Sequence, residues 1–197
     1  MNEDLLSLVS GRSGHFRLES GHHGDLWFQL ETLCLRSRAI RPLAAQLAAQ
    51  LEKYKVDAVC GPLVEGAFVA LLVSLELGCD FVYAERFAKT ESKDLYPVEY
   101  RVPAVLEPAV QGKRVAIVND VINAGSAVRG AFSDLQARGA SIVAIAVPLA
   151  LGDAIDAFAA ENHIALEILK RIPNNLWSPT ECPLCAKGEP LEVVGTS

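Results

Sequence analysis

The chain carries at residues 114–129 the stretch RVAIVNDVINAGSAVR, and the rest of its sequence can be arranged around it. An apolar run rich in β-branched residues, 115–118, opens the stretch and is typical of a strand buried on both faces. The polar pair Asn119-Asp120 ends this run, and the small residues of 124–127 follow. Apolar residues then recur at helical spacing, at Val128, Phe132 and Leu135. The stretch therefore predicts a strand, a polar edge, a tight loop and the N-terminus of a helix.

The predicted loop suits an anion. Its small residues, Ala124, Gly125, Ser126 and Ala127, let a ligand approach the backbone closely. The N–H groups of the first helical turn point to the same place, where the helix dipole favours negative charge. Asp120, at the carboxyl edge of the strand, offers acceptors for the vicinal hydroxyls of a sugar or for a hydrated cation. A ribose 5-phosphate fits this pair, with its phosphate on the loop and its hydroxyls on Asp120.

Two other phosphate-binding motifs are excluded. The chain has no G-x-G-x-x-G after a predicted strand. The spacing of Gly61 and Gly66 matches that of a P-loop, but Ala67 and Phe68 stand where the P-loop has Lys and Ser or Thr. The P-loop interpretation therefore fails.

Composition limits the class of protein. At 197 residues, of which 51% are hydrophobic and 21% charged, we expect one globular domain with at most a small appendage. The net charge of -6 and the lack of a long basic run argue against nucleic acid as a partner. The acidic start and the shortness of the longest apolar stretch, 67–77, predict a cytoplasmic protein that does not enter a membrane. Five cysteines, an odd number, suit a reducing compartment.

Predicted strands and helices alternate between Arg38 and Leu169. This order predicts an α/β fold, a doubly wound and mostly parallel sheet whose ligand loops gather at the carboxyl ends of the strands. Alternating apolar residues and turn signals over 14–29 predict a two-stranded flap before this core. We expect three segments, namely a small N-terminal hood at 1–37, the core at 38–169 and a C-terminal tail at 170–197.

Residues 115–129 resemble the phosphoribosyl-pyrophosphate (PRPP) motif of type I phosphoribosyltransferases, most closely the version in orotate phosphoribosyltransferases. The residues that agree are Val121, Ile122, 124–127 and Arg129. Asn119 departs, because the family has two adjacent acids there, and Asn123 stands where a Thr commonly helps to hold the phosphate. The resemblance covers roughly residues 14–139 and implies the type I phosphoribosyltransferase fold with an N-terminal hood.

The segment 14–29 resembles the hood of the same family. On that match Trp27 and Phe28 line the base pocket, whereas the residues alone leave open that both belong to the hood core. Glu19 stands where the family commonly has a Lys. Because orotate is an anion, a carboxylate there repels it unless a neighbouring Lys or Arg compensates.

Two further loops resemble parts of the family's substrate site. The loop 61–67 follows a predicted strand and resembles the pyrophosphate loop, in which Glu65 and Gly66 would contact substrate, although Glu65 replaces a common Lys. Residues 85–97 take the position of a mobile loop that closes over pyrophosphate, often from the neighbouring subunit, which implies a homodimer. The resemblance assigns this closure to Arg86, Lys89 and Lys93. The family's His-Gly pair is absent, and by composition alone this is an ordinary solvated loop.

The sequence also offers two weak metal motifs. His22 and His23 are adjacent, and neighbours on a strand point to opposite faces, so a position at the surface or the substrate edge is favoured over a metal site. Cys182-x-x-Cys185 is half of a zinc site, and the other cysteines fall in the predicted core. Two packing or free thiols are the favoured interpretation. Zinc, with two tails paired in a dimer, and a redox pair are the alternatives.

The resemblance implies an enzyme that transfers ribose 5-phosphate from PRPP to a nitrogenous base, orotate or a related pyrimidine, and releases pyrophosphate. The implied catalytic residues are Asp120, Asn119, Lys89 and Lys93, with 123–127 holding the 5-phosphate. Mg²⁺ would reach the site through PRPP and water near Asp120 rather than through a direct protein ligand. The loss of one acid and two lysines motivates an alternative, a non-catalytic regulatory protein that binds PRPP or a nucleotide. Transfer to another base is the other alternative.

Overall fold

The computed structural model describes residues 5–7, 9–30, 32–88 and 95–194. The helices are α1 (Ser37–Leu51), α2 (Glu65–Leu77), α3 (Ser126–Ala137), α4 (Asp156–Glu161) and α5 (Pro183–Ala186). The strands are β1 (Ser10–Arg17), β2 (His23–Gln29), β3 (Ala58–Pro62), β4 (Asp80–Ala88), β5 (Val98–Arg101), β6 (Arg114–Val118), β7 (Val121–Ile122), β8 (Ser141–Leu151), β9 (Ala165–Ile172), β10 (Leu176–Trp177) and β11 (Glu192–Val193). None of these helices combines the length and the apolar character needed to cross a bilayer.

Seven of the described strands form the central sheet, in the order β5-β4-β3-β6-β8-β9, with β7 beside the far end of β8. The described pairs are parallel except β4 with β5. Cys60 of β3 is in register with Val82 of β4 and Ile117 of β6. The chain proceeds from β3 toward one edge and from β6 toward the other, so the topological switch point lies between these two strands. This sheet confirms the predicted doubly wound, mostly parallel fold.

Helices cover both faces of the central sheet. Along β6, Ala116 and Val118 face a core shared with α1 and α2, whereas Val115 and Ile117 face a core shared with α3. All four side chains are fully buried, as the apolar run predicted. Burial of a side chain such as Ile117 contributes roughly 1.5–3 kcal/mol, so this packing holds β6 and α3 firmly on either side of the loop that joins them.

A second sheet of four described strands forms the hood, in the order β10-β2-β1-β11. β1 and β2 make the predicted antiparallel hairpin, with Ser10 in register with Gln29. The tail adds one strand to each edge, because β10 pairs with β2 and β11 with β1. The sequence predicted two strands here rather than four, since β10 and β11 have two residues each and carry no alternating pattern. The boundaries of hood, core and tail at 37 and 169 stay a prediction.

Candidate active site between the sheet and the hood

A cavity of about 330 Å³ lies where the hood covers the carboxyl ends of β3 and β6. This is the switch point of the central sheet, where folds of this type bind their ligands. The loops 62–66 and 119–127 form one side of the cavity. The hood supplies the other side with Leu18, Glu19, Ser20, Trp27, Phe28 and Leu30. Every predicted site residue lines this cavity except Lys89 and Lys93, which lie outside the described residues.

The loop between β7 and α3 is shaped for an anion. Gly125 has a φ of +80°, which glycine adopts readily, and a Cβ there would lie 2.7 Å from Ile155 Cδ1. No described side chain caps α3, so the N–H groups of its first turn are available at the cavity wall. Ser126 Oγ is buried and has no hydrogen-bond partner among the described residues. Because an unpaired buried hydroxyl costs about 1–3 kcal/mol, a bound anion would stabilise this loop.

Two side chains fix the loop from outside. The Arg129 guanidinium donates to Ala124 O at 3.3 Å and lies 4.5 Å from the centroid of the Phe158 ring. Asn174 Nδ2 donates to Asn123 Oδ1 at 3.1 Å, so the segment after β9 is tied to the loop. The residue that replaces the family's Thr therefore has a structural role of its own, which is to connect the loop to the tail.

Asn119 and Asp120 follow β6 at the base of the cavity, and only 8% and 7% of their surfaces are exposed. Asn119 Nδ2 donates to Val121 O at 2.7 Å, a bond that a carboxylate cannot make. Asn119 Oδ1 faces α2 at Gly66, where an added Cβ would overlap it. The amide that replaces the first acid therefore has a local structural role. It closes the turn after β6 and packs this turn against α2.

The second loop adds the Glu65 carboxylate to the cavity lining. Glu65 lies in the first turn of α2, where the helix dipole favours a negative charge, and it lines the cavity. The peptide Leu63–Val64 in this loop is cis. A Cβ at Gly61 would lie 2.6 Å from Ala67 Cα, so β3 and α2 approach as closely as their backbones allow. Asp120 and Glu65 together give the cavity the hard oxygen donors that divalent cations prefer.

A neighbouring arginine compensates the hood carboxylate Glu19, as the sequence required. Arg86 Nε donates to Glu19 Oε2 at 2.6 Å, and the Tyr100 hydroxyl donates to the same carboxylate at 3.2 Å. Burial, and after it the charge of Glu19, raises the pKa of Tyr100, so this hydroxyl stays a donor. Of these three residues, Arg86 carries the positive charge that an anionic ligand would meet on the hood side of the cavity.

The two aromatic residues of β2 have different surroundings. Phe28 is buried against the α1 side of the core, and a Cβ at Gly11 would lie 2.6 Å from its ring. Trp27 is half-buried and packs against Phe16 and Leu18 of the hood. Both residues also line the cavity, so each one contacts a core and borders the site.

The sequence did not predict one cluster of polar side chains that the structure brings together. His15 and His23 of the hood hairpin meet Cys182 and Cys185 of the tail. The predicted position of His23 at the surface or the substrate edge is wrong, because only 5% of it is exposed and it does not line the cavity, whereas His22 is half-buried beside Tyr96. The available signal was a histidine pair on a predicted hairpin together with a distant C-x-x-C. The interpretation of the cysteines as packing or free thiols did not include His15.

Sequence comparisons identify the family to which this chain is similar. A family model described as the phosphoribosyl transferase domain matches residues 27–184. An orotate phosphoribosyltransferase of Desulforamulus reducens is 28% identical over 184 residues, which cover 93% of this chain and 89% of that protein. An orotate phosphoribosyltransferase of Nitratiruptor sp. is 29% identical over 194 residues, which cover 91% and 90%.

Solved structures share the fold. An adenine phosphoribosyl transferase from Trypanosoma brucei, crystallised with AMP, pyrophosphate and ribose-5-phosphate, has a TM-score of 0.65 at 16% identity and covers 85% of this chain and 77% of its own. An orotate phosphoribosyltransferase from Aeropyrum pernix has a TM-score of 0.62 at 18% identity, with coverage of 84% and 89%. These likenesses establish the fold and do not choose between bases.

Proposed function

The chain belongs to the phosphoribosyltransferase family, and on that premise we propose that its base substrate is orotate or a related pyrimidine. Carbon 1 of PRPP would exchange pyrophosphate for a ring nitrogen of the base, which gives a nucleotide. The observation that carries the transfer of a phosphoribosyl group is the buried Ser126 hydroxyl, unpaired among the described residues, in a loop that shares its cavity with Asp120. The choice of base depends on Arg86, the cation in the described lining. A phosphate on this loop would give the Ser126 hydroxyl a partner, and the neighbouring Asp120 carboxylate would accept hydrogen bonds from the ribose diol.

The core side of the cavity would bind the sugar phosphate. Residues 123–127 would hold the 5-phosphate through the Ser126 hydroxyl and the first-turn N–H groups of α3. The buried Asp120 carboxylate would hold the ribose hydroxyls and stabilise the positive charge that develops on the ribosyl ring. Asn119, whose amide is engaged with Val121 O, would orient this edge rather than add a second charge.

The hood side would bind the base. Trp27 and Phe28 offer an apolar wall against which a flat ring can stack. Arg86 is the one cation that the structure describes in the cavity lining. Its charge neutralises Glu19, so the hood would not repel an anionic base such as orotate, and the guanidinium would donate to the carboxylate of that base. A guanidinium donor at this position supports an acceptor-bearing base such as orotate, and its pairing with Glu19 removes the charge conflict.

Mg²⁺ would enter with PRPP. The cavity offers the oxygen donors of Asp120 and Glu65, and its described lining contains no imidazole or thiol, so this donor set fits a hydrated Mg²⁺ held chiefly by phosphates. When bound, the ion neutralises the charge of the departing pyrophosphate. We also propose that Lys89 and Lys93, which lie outside the described residues, cover the pyrophosphate, and that a homodimer brings this loop from the neighbouring subunit.

The test is the release of pyrophosphate from PRPP in the presence of Mg²⁺ and a panel of bases, with orotate, uracil, adenine and hypoxanthine as its first members. Orotate or another pyrimidine should turn over, and Asp120→Asn should lower kcat by about 100-fold. Turnover with a purine alone would contradict the proposed base. Binding of PRPP without turnover for any base would favour the regulatory alternative.

Arg86→Gln tests the charge of the base. The substitution leaves Glu19 without its cation, so KM for orotate should rise by about fivefold, a modest factor because the ion pair is partly exposed. Inhibition by uracil, a neutral competitor, should stay unchanged. Arg171→Gln is the matched control, since it breaks an Arg–Asp pair with Asp156 outside the cavity and should affect neither ligand. Equal weakening of orotate and uracil would show that Arg86 acts on the shape of the hood, not by charge.

A further inference from the structure

Four side chains that the proposed reaction does not use meet between the hood hairpin and the tail, namely His15, His23, Cys182 and Cys185. Their ligand atoms all lie within 4.8 Å of one another. His15 Nε2 is 3.1 Å from His23 Nδ1, 3.4 Å from Cys182 Sγ and 3.6 Å from Cys185 Sγ. Cys185 Sγ is 3.2 Å from His23 Nδ1. We propose that these residues bind one structural zinc ion as a Cys₂His₂ site.

The separations match the edges of a zinc tetrahedron. With Zn–N bonds of about 2.0 Å and Zn–S bonds of about 2.3 Å, two ligand nitrogens lie about 3.3 Å apart, and a nitrogen and a sulfur about 3.5 Å apart. The nitrogen pair is 3.1 Å apart, and the three nitrogen–sulfur separations run from 3.2 to 3.6 Å. Four of the six separations between the ligand atoms thus fit a tetrahedral zinc ion, and the other two are at most 4.8 Å. Imidazole and thiolate ligands select zinc over Mg²⁺ and Ca²⁺, which prefer oxygen.

The local backbone brings the four side chains together. The register of β1 against β2 shifts between Ser13 and Phe16, and such an irregularity re-aims the side chain of the residue within it, here His15. His23 begins β2, opposite Arg17 on the neighbouring strand. Cys182 precedes α5 and Cys185 lies within it, so a spacing of three residues around one helical turn puts both sulfurs on the same side.

A backbone contact indicates the tautomer of His15. Its Nδ1 lies 2.9 Å from Glu189 O, and since a carbonyl oxygen only accepts, Nδ1 carries the proton. In the neutral ring, Nε2 then presents its lone pair to the two sulfurs and to His23. Histidines that bind metals usually donate their other ring N–H to a carbonyl or a carboxylate in this way. The surroundings of His15 are thus those of a metal ligand.

Three of the four side chains in the cluster are buried, and one is exposed to solvent. His15, His23 and Cys182 are buried, with 4–6% of their surfaces exposed, whereas Cys185 is exposed. All of the cysteines are free of disulfide bonds, so both tail thiols are available as ligands. The exposed sulfur gives the ion a route in, and the buried side excludes water from the bonds once they form.

The ion would fasten the two ends of the chain to each other. The hood has a small core of its own, in which Phe16, Leu18 and Val194 are buried. The tail strands β10 and β11 contribute only two residues each to the sheet. Small units of this kind gain little from hydrophobic burial and are commonly stabilised by a structural metal. Zinc would hold the four-stranded hood sheet closed.

The test measures metal in the full chain, expressed without a histidine tag in zinc-supplemented medium and purified under reducing conditions. Mass spectrometry of the metal should find about one zinc ion per chain. Cys182→Ser and His15→Gln should each reduce it to less than about a tenth. Cys79→Ser and His163→Asn remove the same residue types outside the cluster and should retain the ion.

A second measurement needs no variant, in case the substituted chains do not fold. Co²⁺ in place of zinc should give the visible absorption of a tetrahedral site with sulfur-to-cobalt charge transfer, and a thiol-capping mercurial should release one ion per chain. Three results would each overturn the proposal: a supplemented wild-type chain that holds no metal and gives no cobalt spectrum, full zinc content in Cys182→Ser, or a disulfide between Cys182 and Cys185 in the reduced preparation.

Discussion

At the scale of single residues, Asn119 makes two contacts that must be considered together. Its Nδ2 donates to Val121 O, and its Oδ1 packs over Gly66, so the amide joins the turn after β6 to the start of α2. An aspartate could reproduce the second contact and not the first. This turn therefore has one carboxylate, Asp120, where the family has two adjacent acids, and the amide of Asn119 anchors it.

Asn119→Asp is expected to lower both stability and turnover. A carboxylate would face Val121 O with no proton to donate, which costs about 1–3 kcal/mol in the free energy of unfolding, and the displaced turn should lower kcat by about tenfold. Urea unfolding and pyrophosphate release measure the two effects. Asn162→Asp is the matched control, because Asn162 Nδ2 donates to Phe158 O away from the cavity and should affect stability alone. A higher kcat in Asn119→Asp would contradict this prediction, because it would show that a second negative charge helps catalysis more than the amide contact does.

Tyr100 should make the free energy of unfolding decrease with pH in the alkaline range. Burial and the Glu19 charge raise its pKa above the value of about 10 in an unfolded chain, so the folded state holds the proton more tightly. The resulting stabilisation is complete below pH 10 and is lost as the pH rises further, by up to about 1.4 kcal/mol per pH unit.

Urea unfolding of the wild type and Tyr100→Phe between pH 8.5 and 11 measures this contribution. Below about pH 9.5 the two stability curves should run parallel. Above pH 10 the wild-type curve should fall more steeply, because only the wild type has this proton to lose on unfolding. Identical slopes throughout would contradict the assignment.

At the scale of elements, sequence periodicity decides what could be predicted. The apolar run of β6 and the helical stripe of α1 carry their own pattern, because strands and helices in a core need apolar residues at fixed spacings. The strands β7, β10 and β11 have two residues each, too few for any period, and they exist through pairing with β8, β2 and β1. The Glu19–Arg86 pair and the His–Cys cluster join residues that are far apart in the chain. A periodic pattern within one segment therefore could not predict them.

Gly125→Ala tests the loop between β7 and α3. Alanine at a φ of +80° costs about 1–2 kcal/mol, and its methyl group would also collide with Ile155, so the loop must shift. Stability should fall and KM for PRPP should rise by about tenfold. Gly139→Ala is the matched control, because Gly139 has a φ of +78° with no described atom within 4 Å of the added Cβ, so it should lose stability alone. An unchanged KM for PRPP in Gly125→Ala would remove the loop from the phosphate site.

At the scale of the whole molecule, the cavity has two walls that belong to different sheets. The central sheet carries the loops around Asp120 and Glu65, which would bind PRPP. The hood carries Trp27, which would bind the base, and the tail completes the hood through β10, β11 and the His–Cys cluster. Binding of the two substrates should therefore be separable, because a change that loosens the hood leaves the packed core of the central sheet intact.

Cys182→Ser should reveal this separation. Loss of the proposed zinc ion would loosen the hood sheet and displace the base wall, which is the part of the hood that carries Trp27. KM for the base should therefore rise by about tenfold or more. The dissociation constant of PRPP, measured by calorimetry, should stay within about twofold, since the core loops do not depend on the ion. Gly125→Ala should show the opposite pattern, and Cys79→Ser neither. If Cys182→Ser weakened PRPP and base equally, the hood and the core would form one cooperative unit, and the zinc ion would stabilise the whole site rather than its base wall.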